Sequence, residues 1–569
     1  MDNQKVVKIL REIALYIDMD DVAFKPQAYE RVALVIESLS ENVSLIYKNG
    51  GIRALENLPG VGKGIAEKIV EYLETGKIKE YLSLKKKMPV DLEELMAVEG
   101  IGPKKIKILY KKLKIKNLKD LATMASAHKI FKLPGFGEKT EKNILEGIKF
   151  LKREKGRFLL GEILPTAKKI EEKLQKMKEV KKASIAGSLR RMKETIGDVD
   201  FLVVSDNPGI VTDFFVSMPG VVKVWGKGAT KASVRMKQGY DMDIRIVSEK
   251  SFGSALQYFT GSKEHNIATR KIAIEKGLKL NEYGIFRGAK MVAGKTEEEV
   301  YKTIGLSFIE PEIRENAGEV EVAQAGKLSE LIHLKNIKGD LHCHSGWGRG
   351  GGPEAIKKLI EKAKEMGYEY IGISDHTKFL RIEHGLNEKE LLEQKKFIEK
   401  LNFSFRVLHG CEANIMADGS IDISDEVLAK LDYVIAGVHS QFKMSKEKMT
   451  ARLIKAMENP HVDIISHPTG RIIQRRGEYE IDFDKILETA KRTGTILEIN
   501  AHPVRLDLKD TNIRKAKEVG VKMIVNTDAH QPEQMELMEY GISQARRGWA
   551  EKKDIINCLP AEKLLQALK

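Results

Sequence analysis

Ala183-Ser184-Ile185-Ala186-Gly187-Ser188-Leu189-Arg190-Arg191, running on through Met192-Lys193-Glu194-Thr195-Ile196 into Gly197-Asp198-Val199-Asp200-Phe201-Leu202-Val203-Val204, is the stretch on which the reading of this chain turns. A strand-like run meets a Gly-Ser turn, and a second apolar run opens with Asp-x-Asp. Because side chains alternate along a strand, Asp198 and Asp200 fall on one face. Two carboxylates so placed suit Mg²⁺, which takes oxygen ligands and keeps part of its shell for phosphates. The amides of Gly187 and Ser188, together with Arg191, can grip the far phosphates. An acidic pair at this spacing also occurs on solvated strand faces, so the pair alone decides little.

The downstream sequence decides more. Tyr240-Asp241-Met242-Asp243-Ile244-Arg245-Ile246-Val247 reads as a neighbouring strand whose Asp243 completes a carboxylate triad, with Arg245 beside it. Then come Tyr258-Phe259-Thr260-Gly261-Ser262-Lys263-Glu264-His265-Asn266 and Arg270, followed by Asn281-Glu282-Tyr283-Gly284 and Pro311-Glu312-Ile313-Arg314-Glu315-Asn316. These blocks, in this order, resemble the nucleotidyltransferase core of the family X DNA polymerases. With the region before it, the resemblance covers nearly all of residues 5–317. It implies that Asp198 and Asp200 bridge two Mg²⁺ (or Mn²⁺) ions and that Asp243 holds the one near the primer 3′-hydroxyl. It further assigns Gly187, Ser188, Arg191, Tyr258, Phe259, Gly261, Ser262, Asn266 and Arg270 to the deoxynucleoside triphosphate, and Arg245 to DNA.

The 569 residues allow about three to five domains. A net charge of +15 points to a polyanionic partner such as nucleic acid, although a lysine-rich, heat-stable surface would read the same way. Cys343, Cys411 and Cys558 make neither a disulfide framework nor a zinc-ribbon spacing, which suits a reducing compartment. No signal peptide and no apolar run of membrane-spanning length occurs. We therefore expect a soluble, cytoplasmic, nucleoid-associated protein with no membrane partner.

Residues 5–150 read as short amphipathic helices in which one pattern recurs. Leu58-Pro59-Gly60-Val61-Gly62, Val98-Glu99-Gly100-Ile101-Gly102 and Leu133-Pro134-Gly135-Phe136-Gly137 each lead into a helix. Glycines let backbone approach a phosphate, and the N–H groups of the following helix point at it. Gly60-Val61-Gly62-Lys63-Gly64 lacks the preceding strand and the closing Gly-Lys-Ser/Thr of a nucleotide-binding loop. The pattern resembles helix-hairpin-helix elements, which hold DNA backbone without reading sequence. Family X members with lyase activity use a lysine at the position of Lys68 to form a Schiff base with a 5′-deoxyribose phosphate, and Lys25 and Tyr29 match their 5′-phosphate segment. Gly64 stands where those enzymes carry another phosphate-binding lysine, so Lys68 reads equally well as a solvated contact to DNA phosphate.

From Lys335 apolar strands alternate with amphipathic helices, at Gly339-Asp340-Leu341-His342, Tyr370 to Ser374, Phe405 to His409, Tyr433 to Gly437, Val462 to Ser466, Thr495 to Ile499 and Val521 to Val525. Seven such units predict a closed parallel barrel with ligands at the carboxyl ends of its strands. There stand His342, His344, His376, Glu412, His439, His467, Asp528 and His530, a set suited to metal. This half resembles the polymerase and histidinol phosphatase (PHP) domain. The resemblance implies up to three Mn²⁺ or Zn²⁺ ions and 3′ to 5′ exonuclease or abasic-site endonuclease activity. It departs at Arg349, where the family carries a ligating aspartate.

The expected architecture is an all-α helix-hairpin-helix region, an α/β nucleotidyltransferase palm with an accessory subdomain, and a C-terminal (β/α)7 distorted TIM-like barrel. Its boundaries are 1–83 and 84–150 for the helical subdomains, 151–248 for the palm, 249–317 for the nucleotide pocket, 318–334 for a linker with no apolar face of its own, and 335–569 for the barrel. The expected function is gap filling in DNA repair by a monomer acting on gapped or nicked DNA with a 5′-phosphate. A barrel kept as a metal-stabilised scaffold that orients DNA, or a hydrolase of small phosphate esters, are the alternatives.

Overall fold

The computed structural model describes residues 3–569 apart from 20–24, 38–41, 59, 97, 99–100, 154–155, 381–383 and 402–404. The chain forms two compact units, Met1–Lys155 with Gln474–Arg476, and Gly156–Ile473 with Gly477–Lys569.

The first unit is helical and has two cores. Val6, Leu10, Ile13, Val32, Ile36, Leu55, Ile65 and Ile69 form one, and Leu95, Ile106, Leu109, Leu121, Ile144 and Ile148 form part of the other. The hairpin residues divide by chemistry. Val61, Ile101 and Phe136 are buried, whereas Gly60, Gly62, Gly135 and Gly137 face solvent. Gly62 and Gly102 cap the helices Lys63–Thr75 and Pro103–Leu113 with no side-chain hydrogen bond. The apolar residue fastens each turn, and at these two helices the cap glycine leaves the first amides without a side-chain acceptor.

In the second unit a five-stranded sheet runs in the order Val180–Ile185, Asp198–Ser205, Asp241–Val247, Lys231–Met236, Val221–Lys227. Only the Asp198–Ser205 and Asp241–Val247 pair is parallel. Alternation along Asp198–Ser205 sends Val199, Phe201 and Val203 into the main core against the Leu160–Gln175 helix. Leu202, on the other face, packs on Ala255 and Leu256 of the Phe252–Thr260 helix. That helix covers the strand beyond the two aspartates, so the carboxylates stand at the open end of their face.

Residues 318–334 correct the expectation of a linker. They carry a helix, Glu319–Gln324, and bury Val320, Ala323, Leu331 and Ile332. Val320, Ala323 and Leu331 complete the core around Val300, Tyr301 and Ile313, and the Ile332 amide donates to the Ala550 carbonyl at 2.9 Å. The apolar residues are too sparse and unevenly spaced to show a periodic face.

The last half is a parallel seven-stranded sheet taken in chain order, Gly339–Asp340, Tyr370–Ile373, Arg406–Asn414, Tyr433–Gly437, Ile464–Ile465, Ile496–Asn500 and Met523–Asn526. A parallel bridge between Cys343 and Ala529 closes it, the His344 amide donating to the Ala529 carbonyl at 2.7 Å. Leu341, Tyr370, Leu408, Tyr433, Ile435, Ile464, Ile496 and Ile524 fill the lumen with Leu564 of the C-terminal helix. Tyr433 fits because Gly410 faces it: a Cβ there would stand 2.6 Å from the ring. The plugged lumen leaves the opposite rim, where the strands end, as the place for a site.

Candidate active sites

The parallel register sets Asp200 directly beside Asp243 and Asp198 beside Asp241. All four therefore share a face, and hydrogen bonds sort them. Asp241 accepts from Arg235 Nη2 and Trp225 Nε1, both at 2.8 Å, and Arg235 holds its carboxyl below the usual range. Asp243 accepts from the Ser233 hydroxyl and has Lys231 Nζ at 3.8 Å. Burial, followed by the charges of Asp198 and Asp243, pushes the Asp200 carboxyl up to about 7. Three carboxylates on one strand face, near enough that the charges of two raise the third, are a donor set that fits hard divalent cations.

Gly187 opens the short helix Gly187–Arg190 with φ at 64°, and a Cβ on it would come 2.5 Å from Asp200 Oδ2. The Gly187 turn thus reaches Asp200 only because that residue is glycine. Arg191 Nε donates to Glu315 Oε1 at 3.1 Å, and its Nη1 donates to the Thr260 carbonyl. Tyr258 and Phe259 stack edge to face, with Arg270 over the Tyr258 ring at 5.0 Å and Arg245 over Phe259 at 4.7 Å. Asn266 Nδ2 donates to the Tyr258 carbonyl at 2.7 Å, and Ser262 caps the following helix. Gly261, where a Cβ would stand 3.1 Å from Arg191 Nη1, links this segment to the Gly187–Arg190 turn. Sequence reading passed over Glu297, which binds Arg190 and the fully buried Arg314 at 2.6 Å each and ties the pocket subdomain to the palm.

On the barrel rim Glu412 is central. His376 Nδ1, His467 Nε2, His439 Nε2, His342 Nε2 and His344 Nε2 lie 2.7, 3.0, 3.2, 3.3 and 3.7 Å from its oxygens. Asp528 Oδ1 stands 3.2 Å from His344 Nε2, and His530, more exposed, stacks on the His344 ring at 4.2 Å. Burial alone would raise Glu412, but His376, His342 and His439 hold its carboxyl well below the usual range. Burial, with Arg505 adding to it, takes His467 down to about 4. Glu412 is thus kept ionised and His467 neutral, the forms that bind metal, whereas at His342 burial is outweighed by the charges of Glu498, Glu412 and Asp528, which hold it well above the usual range.

Six buried atoms there, His342 Nε2, His344 Nδ1, His376 Nδ1, His439 Nε2, His467 Nδ1 and Glu412 Oε2, make no well-aligned hydrogen bond among the described residues, close as several stand to a carboxylate or a ring nitrogen. An orphaned buried polar atom costs about 1–3 kcal/mol, so six at one rim fit a site built for cations. The ligand atoms fall into three overlapping groups: His342, His344 and Asp528; His344, His376 and His530; and His376, Glu412 and His439.

Three supporting residues were not singled out from sequence. Glu498 accepts from His342 Nδ1 at 2.6 Å and orients that ring; Asn500 spans Glu498 and Asp528 at 3.2 Å each. Asp375 accepts from the amides of Ser345 and Gly346 at 2.7 and 2.9 Å and fastens the loop after His344. A charge inside the apolar run Thr495-Ile496-Leu497-Glu498-Ile499 was the available signal. Arg349 lies on a short turn, Trp347–Arg349, and its side chain is outside the described residues.

In the first unit, Lys68 Nζ lies 3.1 Å from Glu80 Oε2 and 5.9 Å from the Tyr29 ring centre. Burial tends to lower this lysine, but Glu80 and Tyr29 outweigh it and raise its pKa. Lys25 opens the Lys25–Glu37 helix and is exposed. Gly100 lies outside the described residues.

Comparison with known proteins gives the family. The chain matches the DNA polymerase beta thumb over residues 255–315, a helix-hairpin-helix domain over 1–78, a SAM-like helix-hairpin-helix tandem over 92–149 and the PHP domain over 340–502. It is 39% identical to the DNA polymerase/3′-5′ exonuclease PolX of Bacillus subtilis, over 98% of this chain and 97% of that one. Rat DNA polymerase lambda is 27% identical over 46% of this chain and 48% of its own. A probable phosphatase of Caldanaerobacter subterraneus is 36% identical over 31% of this chain and 71% of its own. A triad set by strand register, a histidine-rimmed barrel and full-length similarity to a polymerase with both place this chain among the family X DNA polymerases that carry helix-hairpin-helix elements and a C-terminal PHP domain.

Proposed function

We propose that this polymerase fills short gaps during DNA repair and that its barrel removes nucleotides from 3′ ends. The observation that carries the synthetic half is the register that sets Asp200 beside Asp243, with Asp198 on the same face. Mg²⁺ or Mn²⁺ bound there supplies charge neutralisation and acidifies the primer hydroxyl. Asp198, Asp200 and Asp243 would hold such ions, with Asp243, oriented by the Ser233 hydroxyl, serving the primer end. The primer 3′-oxygen bonds to the α-phosphorus as the bond to pyrophosphate breaks. Gly187, Ser188 and Arg191 hold the outer phosphates, while Tyr258, Phe259, Gly261, Ser262, Asn266 and Arg270 line the sugar and base. Positioning and charge neutralisation then account for the rate.

The hairpins at Gly60 and Gly62, Gly100 and Gly102, and Gly135 and Gly137 grip the backbone of gapped or nicked DNA, with Lys25 and Tyr29 at its 5′-phosphate and Arg245 on the palm. In the barrel, His342, His344, His376, Glu412, His439, His467, Asp528 and His530 hold Mn²⁺ or Zn²⁺, and the three ligand groups support up to three ions. Glu498 fixes the His342 tautomer and Asp375 fixes the loop over the site. The name of the Bacillus relative supports 3′ to 5′ exonuclease chemistry, to which abasic-site cleavage is the nearest extension. The protein works as a monomer in the cytoplasm, on the nucleoid; among the described residues no helix is long and apolar enough to cross a membrane.

The test is extension and degradation of 5′-phosphorylated gapped DNA in Mg²⁺ and in Mn²⁺. Asp243→Ala should cut extension by more than roughly a hundredfold and spare degradation, and Asp528→Ala should do the reverse. Near-normal extension by Asp243→Ala removes the triad assignment. Metal-bound protein that degrades no DNA end favours the scaffold, and turnover of histidinol phosphate in its place favours the small-ester hydrolase.

A further inference from the structure

The Met538–Arg547 helix belongs to the barrel, yet its last two residues reach the polymerase pocket. Arg546 binds Glu312 through Nε at 2.7 Å and the Ile332 carbonyl through Nη1 at 2.9 Å. Arg547, with 3% of its side chain exposed, goes further. Its Nη2 is anchored to Asp510 of the barrel at 2.6 Å, while its Nη1 donates to the Arg191 carbonyl at 2.9 Å and to Glu315 Oε1 at 3.2 Å. That single oxygen of Glu315 also has Arg191 Nε at 3.1 Å and Lys193 Nζ at 3.6 Å. Three cations therefore share one carboxylate, and one of them is the arginine placed at the triphosphate.

We propose that Arg547 is a positioning residue of the polymerase site: the barrel lends it to neutralise Glu315, so that Arg191 can turn its charge to an incoming triphosphate. Without Arg547, Glu315 would have only Lys193 and Arg191 to offset it. Lys193 is the more distant and the more exposed of the two, and its pull is the more screened. Arg191 would then be held by the carboxylate in competition with phosphate. The low pKa of Glu315, which Arg191, Lys193 and Arg547 enforce against its burial, agrees with this sharing. Arg547 acts through Glu315 and through the backbone of Arg191.

The proposal rests on the reading of Arg191 as the triphosphate grip, and the experiment separates the two. Single-nucleotide insertion into gapped DNA is measured for the full chain as Arg547→Gln, Arg547→Lys, Glu315→Gln, Arg191→Ala and the Arg547→Gln/Glu315→Gln double variant. Barrel hydrolysis of a 3′ end in the same preparations serves as the folding control. Arg547→Gln should raise KM for the deoxynucleotide roughly tenfold with kcat within about twofold. Arg547→Lys should recover most of that loss, and removing the charge of Glu315 should abolish it in the double variant. If Arg191→Ala raises KM and Arg547→Gln does not, the proposal fails while the site stands. If Arg191→Ala leaves KM unchanged, the reading of the site fails first. A raised KM that Glu315→Gln does not rescue overturns charge sharing, because the effect then comes from displaced backbone. Should Arg547→Gln lose barrel hydrolysis and cooperative melting, Arg547→Lys against Arg547→Lys/Glu315→Gln carries the same comparison.

Discussion

Without divalent cations, Asp200→Asn should melt above the wild type at alkaline pH and level with it in acid. The Asp200 carboxyl sits at about 7 in the fold, against 3.8 for a free side chain, because it is buried between Asp198 and Asp243. A folded-state pKa raised in this way contributes stability that is complete below the unfolded value, about pH 4, and is lost as pH rises through about 7. The whole interval corresponds to about 4 kcal/mol, of which about 1.5 kcal/mol is already lost at pH 5. Asparagine keeps the shape, cannot ionise and escapes that loss. For a cooperative unit of several hundred residues the gain at pH 8 is roughly 5 °C. Scanning calorimetry in chelator, from pH 4.5 to 8.5, should show the gap widening with pH and flattening above 7. Millimolar Mg²⁺ should then raise the wild type more than Asp200→Asn, since only the wild type keeps the full ligand set. A gap that is flat across pH, or an Asn variant that melts below wild type at pH 8, would refute the argument that this carboxylate is strained by its neighbours and relieved by metal.

Glu498→Gln should leave the barrel folded and weaken its hold on Mn²⁺ about 10–100-fold, measured by metal titration, because His342 loses the carboxylate that orients it. Binding of gapped DNA should fall steeply with salt and vary little between gap sequences; strong sequence dependence with a flat salt response would count against the hairpin reading. Borohydride trapping of Lys68 on a 5′-deoxyribose phosphate end should be weak at pH 7 and grow with pH, since Glu80 keeps the amine protonated, and Glu80→Gln should move the curve to lower pH. Undiminished trapping by Lys68→Ala would assign the chemistry to another amine.

The triad was legible because strand alternation places Asp198 and Asp200 together without any tertiary knowledge. The choice of Asp243 over Asp241 came from resemblance, and its physical reason is tertiary: Arg235 and Trp225, from neighbouring strands, already occupy Asp241. The histidines and Asp528 of the barrel rim were legible as a cluster because each follows an apolar strand and parallel strands end on one rim, whereas Glu412 lies within the strand Arg406–Asn414. Glu498 escaped notice because a single charge in an apolar run looks like a strand irregularity until His342 is placed 2.6 Å from it, 156 residues away in sequence. Residues 318–334 were misread for a related reason: Val320, Ala323, Leu331 and Ile332 form no periodic face, yet each finds a partner that only the fold supplies. Sequence periodicity reports a surface that an element buries as a whole; it does not report pairings between distant single residues.

Such pairings join the two chemistries. Ile473, Leu506 and Tyr540 of the barrel half lie in the same apolar core as Phe201 and Phe215 of the palm. Gly161, on the palm helix, stands so close to Pro503 that a Cβ would meet it at 2.5 Å. Arg471 adds an ion pair to Glu194 at 2.7 Å, and Arg546 and Arg547 hold Glu312 and Glu315. The contact thus joins apolar packing to buried arginines, Arg471, Arg546 and Arg547, whose removal would take a cation from Glu194, Glu312 and Glu315. A barrel expressed alone as residues 335–569 would expose the packed face of Leu506 and Tyr540, leave Arg546 without Glu310 and Glu312, and leave Arg547 with Asp510 but without Glu315. Loss of activity in such a fragment would therefore say nothing about the barrel's chemistry. Point variants in the full chain, one at each metal site, separate synthesis from degradation without opening this interface.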